Sequence, residues 1–317
     1  MNEITKYTPE VRHSPKSNTV SNNDFNFPNH FPFFWTKKNI EPISENLDYI
    51  SKEVIKILHK AASMLTSAYT GEIIYDKSKV TPIQLFTTEV DFKIEDFLKR
   101  ELTVKFPQIG FIAEEEQSSK KEKKIQKKQK LYWIIDPVDG TFNFANKIPL
   151  FAISIALWEG NKPIFAAVSL PMQGDLLYAV KGKGAYLNTK LIDKNQQMNA
   201  KPYVVYAHIG SQEEKMKLYK YLLTKDAFPR FLGSGVYQTS MVCLRRVEFA
   251  VFIKTAIWDI AATILIAEEA GLHAEFISEK PNLNNLKHIT DYCHSVVIGQ
   301  KETVIKVAQD IKKELSI

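Results

Sequence analysis

Apolar residues first recur at helical spacing just after position 44. Leu47, Ile50, Val54, Ile57, Leu58, Ala61 and Leu65 share one face, which predicts a long helix with Ser44 as its N-cap. A second amphipathic helix is expected over 91–105, where Ile94, Phe97, Leu98 and Leu102 align. A short apolar strand over 109–113 then runs into Glu114, Glu115 and Glu116. Another strand, over 131–135, ends in Asp-Pro-Val-Asp-Gly-Thr at 136–141. Apolar runs over 152–158, 164–170 and 176–180 are separated by Gly160-Asn161 and Gln173-Gly174-Asp175, so they read as an antiparallel meander. The last third alternates: strands are expected at 203–208, 231–232, 248–253, 273–277 and 295–298, and helices at 212–224, 237–244, 259–269 and 302–315. Helices and mixed sheets in such an order stack in layers, an α/β (α+β) class. The expected organisation is an irregular extension over 1–43, an α+β half over 44–190 and an α/β half over 191–317.

The extension is rich in Asn, Pro and aromatics (Phe25, Phe27, Phe31, Phe33, Phe34, Trp35) without periodicity. A purely solvated tail rarely keeps so many rings, so this segment is read as docking on the body or on a second subunit. At 317 residues, 44% apolar and 25% charged, the chain has ample material for a core, and its longest apolar runs, 148–158 and 260–267, are too short to cross a bilayer. The residues after Met1 lack the basic start and apolar stretch of a secretory signal. Two cysteines, Cys243 and Cys293, form neither a disulfide framework nor a zinc spacing. A reducing, cytoplasmic setting is expected.

The formal charge of +6 sits in one place. Residues 117–130 hold seven lysines and one glutamate, leaving 35 basic and 35 acidic side chains elsewhere. That run reads as a solvated loop in preference to an electrostatic funnel for an anionic ligand; with no arginine and no interleaved aromatic it is not a nucleic-acid surface, and neither nucleic acid nor membrane is expected as a partner.

Acidic residues gather at the ends of core elements. Glu114 closes one strand, Asp136 the next, Asp139 follows three residues on, and Asp259 opens a helix. Four converging carboxylates repel and raise one another's pKa, a conflict that a divalent cation resolves; oxygen ligands without a His or Cys cluster favour Mg²⁺ or Mn²⁺. Pro137, lacking an N–H, is expected to stop its strand so that Asp136 and Asp139 face one pocket and the Val138 carbonyl is free as another ligand. If Thr141 starts a helix, the amides of Gly140 and Thr141 suit a phosphate oxygen.

Four ordered motifs carry a resemblance. Thr87-Thr88-Glu89-Val90-Asp91, Ile112-Ala113-Glu114-Glu115, Trp133-Ile134-Ile135-Asp136-Pro137-Val138-Asp139-Gly140-Thr141, and Trp258-Asp259-Ile260-Ala261-Ala262 with Glu269-Ala270-Gly271 resemble the signatures of the inositol monophosphatase family over about residues 45–317. The resemblance implies an αβαβα sandwich and hydrolysis of a small phosphorylated metabolite with two to three Mg²⁺. It implies that Glu114, Asp136 and the Val138 carbonyl hold the first ion and that Asp136, Asp139 and Asp259 hold the second. Asp91, Thr141 and Glu114 would position and deprotonate the attacking water, while Asp139, Gly140, Thr141, Gly233, Ser234 and Asp259 would meet the substrate. Lithium sensitivity and a homodimer are further expectations from the family.

The chain departs from the family pattern at Leu85, Ala113 and Gly271-Leu272, none of which removes a ligand. On the substrate side, Phe252 stands where true inositol monophosphatases place an acidic residue against inositol hydroxyls, with Lys254 nearby. An inositol-1-phosphatase-like enzyme is the leading reading. Fructose-1,6-bisphosphatase activity, with Lys254 and Arg245 or Arg246 meeting a second phosphate, and adenosine 3',5'-bisphosphate nucleotidase activity stay open, as does a non-catalytic phosphate-ligand-binding protein.

Overall fold

The computed structural model describes residues 46–71, 89–115, 130–196, 203–208, 211–225, 227–283 and 294–316. The expectations for the 1–43 extension, for Ser44, for Thr87-Thr88, for the 117–129 part of the lysine run and for Cys293 lie outside them.

Helix α1 (Leu47–Thr70) begins with Asn46 at its N-cap, and α2 is Glu89–Lys105. The first sheet has seven strands in chain order: β1 (Gly110–Ala113), β2 (Leu131–Asp139), β3 (Ala152–Glu159), β4 (Lys162–Leu170), β5 (Asp175–Val180), β6 (Gly184–Leu187) and β7 (Lys190–Leu191). Only β1–β2 is parallel; from β2 to β7 the strands form the expected meander and its continuation. Helix α3 (Thr141–Ala145) follows β2 directly.

The second sheet has the order β11-β12-β10-β8-β9, built from β8 (Tyr203–His208), β9 (Phe228–Arg230), β10 (Phe249–Thr255), β11 (His273–Phe276) and β12 (His294–Gly299). Its helices are α4 (Gln212–Leu223), α5 (Gly235–Cys243), α6 (Ile257–Glu269) and α7 (Lys301–Leu315). Three apolar clusters fill the gaps between layers. One joins α1 and α2 to the first sheet, one places α5 and α6 between the two sheets, and one joins α4 and α7 to the far face of the second. The order is αβαβα, as the resemblance implied. The middle layer explains why α6 is apolar nearly all round: Ile257, Trp258, Ile260 through Ala267 are all buried, as a helix covered by sheets on both sides must be.

Two expectations are corrected. The strand expected at 231–232 lies instead at Phe228–Arg230, a three-residue edge strand that tolerates Pro229. Pro137 does not stop β2, which continues to Asp139. Asp136 pairs with Ser154 and Asp139 with Ala152, so β2 spends three residues where β3 spends two. Pro137 therefore falls in a bulge, where its missing donor costs nothing.

Candidate active site

The bulge explains how two aspartates three positions apart share a pocket. On a regular strand an odd spacing sends them to opposite faces, and one extra residue restores the same side. The parallel register of β1 and β2 aligns Ala113 with Ile135, so the next residues on each strand, Glu114 and Asp136, emerge together. Their carboxyls hydrogen-bond each other, which requires one shared proton. Asp259, in the first turn of α6, completes the group: Asp136, Asp139 and Asp259 each offer a carboxylate oxygen within 4.8 Å of the others. At that separation two full charges repel by about 3.5 kcal/mol at an effective dielectric of 20.

The titration directions follow. Burial pushes Glu114 and Asp136 well above the usual carboxylate range, helped by the neighbouring Asp259 and Glu114 charges respectively. Asp259 rises to about 7 through burial and then Asp139. Burial also raises Asp139, against the opposing pull of its hydrogen bonds. Those bonds are extensive: the Ser234 hydroxyl donates to Asp139 Oδ2, the Gly235 amide donates to Oδ1 at 3.1 Å, and the Val236 amide donates to Oδ2 at 2.7 Å. Asp139 thus sits at the positive end of α5 and joins the first sheet to the middle layer.

Asp91 is buried and accepts the Thr141 hydroxyl at 2.8 Å; that same hydroxyl lies 2.9 Å from the Val138 carbonyl oxygen. Thr141 does open a helix, and Gly140 before it has φ of +93°. A Cβ there would lie 2.9 Å from Ser234 Cβ and 3.0 Å from the Leu150 carbonyl, so only glycine fits between the two loops. Of the paired glutamates, Glu114 faces the aspartates, while Glu115 is buried towards Asp91 and Glu95 and is raised to about 8 by burial and those two charges.

Several supports were missed in the sequence. Thr255 donates to Asp259 Oδ2, which also accepts the Ala256 amide at 3.2 Å. Asn143 donates to the carbonyls of Leu150 at 2.7 Å and Leu232 at 2.6 Å, clamping the 232–234 loop against α3. Helix α5 starts at Gly235 rather than 237, with Ser234 as the N-cap accepting the Tyr237 amide; a serine just before the apolar turn was the available signal. Arg245 is not at the site. Its guanidinium donates to the Ala270 carbonyl, beyond the C-terminal end of α6, about 16 Å along the helix from Asp259.

An oxygen-only donor set, buried and self-repelling, with no Cys or His in the cluster, fits a hard divalent cation. Known proteins resemble this chain along most of its length. The fructose-1,6-bisphosphatase/inositol-1-monophosphatase of Thermotoga maritima is 28% identical over 263 residues, covering 82% of this chain and 96% of that protein. The 3'(2'),5'-bisphosphate nucleotidase CysQ of Haemophilus influenzae is 27% identical, covering 80% and 94%. Among solved structures, the Thermotoga maritima IMPase superposes with a TM-score of 0.66 at 26% identity, covering 86% of this chain and 99% of that one. The sequence profile of the inositol monophosphatase family matches residues 46–311. The chain therefore belongs to the inositol monophosphatase family, a family of phosphoric monoester hydrolases.

Proposed function

We propose that the chain is a Mg²⁺-dependent phosphatase of the inositol-1-monophosphatase type, hydrolysing a small-molecule phosphate monoester. The observation that carries this reading is the convergence of Glu114, Asp136, Asp139 and Asp259 in a pocket too crowded with negative charge to stay ionised alone. Glu114, Asp136 and the Val138 carbonyl would hold one ion, and Asp136, Asp139 and Asp259 a second. When bound, two to three ions offset the −6 of four carboxylates and a dianionic ester and polarise the phosphoryl group. Were the Val138 carbonyl engaged by an ion, the Thr141 hydroxyl would donate its hydrogen bond to Asp91 alone, and the Thr141 oxygen would accept a hydrogen bond from the attacking water. Glu114 orients that water from the opposite strand. The Gly140 and Thr141 amides and the 233–234 loop, clamped by Asn143, border the ester, with Asp139 and Asp259 beside it. Lithium inhibition, a homodimer and cytoplasmic operation accompany this reading.

Phosphate release from inositol 1-phosphate tests it. Release is expected with Mg²⁺, to vanish in chelator, and to fall by at least about 100-fold in Asp136→Asn. Equal rates with and without chelator would refute the scheme.

A further inference from the structure

Helix α3 is five residues long, and a helix that short does not hold its own shape in water. It nevertheless carries Thr141 at its first position and Asn143, the clamp on the 232–234 loop. The Thr141–Asp91 hydrogen bond holds the front of the helix. Its back is held by a lysine that none of the chemistry above uses.

α3 ends in a Schellman motif. The Ile148 amide donates to the Asn143 carbonyl at 2.8 Å and the Lys147 amide to the Phe144 carbonyl at 3.2 Å, with Lys147 in the left-handed region at φ of +58°. Glycine fills that position without steric cost, whereas a lysine there is strained. The side chain supplies the reason for a lysine. Its ammonium donates to the Tyr69 carbonyl and, at 2.9 Å, to the Gly71 carbonyl, and it lies 5.1 Å from the centre of the Tyr69 ring. These carbonyls close α1, whose last turn has no basic residue of its own to meet them. The Tyr69 hydroxyl returns a hydrogen bond to the Lys147 carbonyl at 2.6 Å, and the Tyr69 ring packs on Phe144 and Phe151 with centroids 5.8 and 5.1 Å away. One residue thus ends α3 with its backbone and α1 with its side chain.

We propose that Lys147 is a positioning residue for the hydrolysis: by stapling the far end of α3 to the end of α1, it keeps Thr141 aligned with Asp91 and with the attacking water. This deepens the phosphatase reading and rests on it. Lys147 is exposed, so its bonds add little to global stability, and their value lies in where they fix α3. A shift of a fraction of an ångström at Thr141 is enough to cost roughly tenfold in rate, since a misplacement of about 1 Å costs about 10²-fold.

The test measures kcat and KM in saturating Mg²⁺, with whichever of inositol 1-phosphate and fructose 1,6-bisphosphate is cleaved faster, for Lys147→Gly, Thr141→Val and the double variant. Lys147→Gly removes the ammonium while suiting the left-handed backbone, so the fold is not put at risk. It should lower kcat about tenfold and leave KM within about threefold of wild type, because Lys147 does not touch the ester. In the Thr141→Val background the same substitution should change kcat by less than about twofold, since its effect passes through the Thr141 hydroxyl. Lys147→Arg, which still has donors for both carbonyls, should retain most of the wild-type kcat. A wild-type kcat in Lys147→Gly, or the full loss repeated in the Thr141→Val background, overturns the assignment while leaving the hydrolase reading intact. A folded wild-type protein that releases phosphate from neither ester in Mg²⁺ overturns both.

Discussion

Replacing Asp259 with asparagine separates the electrostatic cost of the site from its chemistry. The side chain keeps its shape, and its oxygen still accepts from Thr255 and Ala256, but it no longer titrates. In the wild-type protein the Asp259 carboxyl is raised from 3.8 to about 7 by burial and then by Asp139. A carboxyl whose folded pKa is raised stabilises the fold below its unfolded pKa relative to higher pH, and that advantage is lost as pH rises through the folded value. Between pH 5 and pH 8 this one group removes about 3 kcal/mol from the metal-free protein. For a chain of this size that corresponds to a fall of roughly 4–5 °C in Tm. In chelator, therefore, thermal unfolding of Asp259→Asn should depend on pH less steeply than that of the wild type by this amount. Added Mg²⁺ should restore the wild type at pH 8 far more than the variant, because a ligand stabilises only the state that binds it. Superimposable pH profiles of the two proteins in chelator would refute the idea that Asp259 is held in a repulsive, poorly solvated pocket.

Two further outcomes follow from the loops around the cluster. Thr141→Val removes the hydroxyl that donates to Asp91, so kcat should fall by about 10²-fold or more, with a loss of about 0.5–1.5 kcal/mol in denaturant stability from the lost buried hydrogen bond; unchanged kcat would exclude Thr141 from the water-handling group. Gly140→Ala forces a Cβ to 2.9 Å from Ser234 at a φ of +93°, which should cost about 1–3 kcal/mol by urea unfolding and weaken Mg²⁺ binding; wild-type stability would mean that the 140 and 234 loops do not meet this closely.

Much of the site was legible because carboxylates at the ends of apolar runs are hard to explain structurally. Glu114, Asp136, Asp139 and Asp259 each break a buried pattern, and the structure brings them together. The local periodicities likewise announced α1, the meander and α6. What was not legible depended on pairing across the chain. Pro137 reads as a strand terminator on its own, and only the β3 partner register shows that its missing donor falls where no ladder bond is needed. The start of α5 was placed two residues late because Gly235 is a poor helix former, yet its amide and that of Val236 are fixed by Asp139 from another layer. Thr255 and Asn143 carry no mark that separates them from ordinary strand and turn residues; their roles exist only once Asp259 and the 232 carbonyl are in place.

The bulge in β2 makes the distance between Asp136 and Asp139 along the chain a fixed quantity rather than a preference. Deleting one residue from the interval would remove the bulge and leave both carboxylates on one face of a regularly alternating strand, whereas pairing all three steps regularly, without the bulge, would send one of them through the sheet. Residue substitutions within Pro137-Val138 can be graded in their effects, but losing the bulge at unchanged length acts as a parity error: the same acids remain in the polypeptide and one of the two addresses the wrong layer.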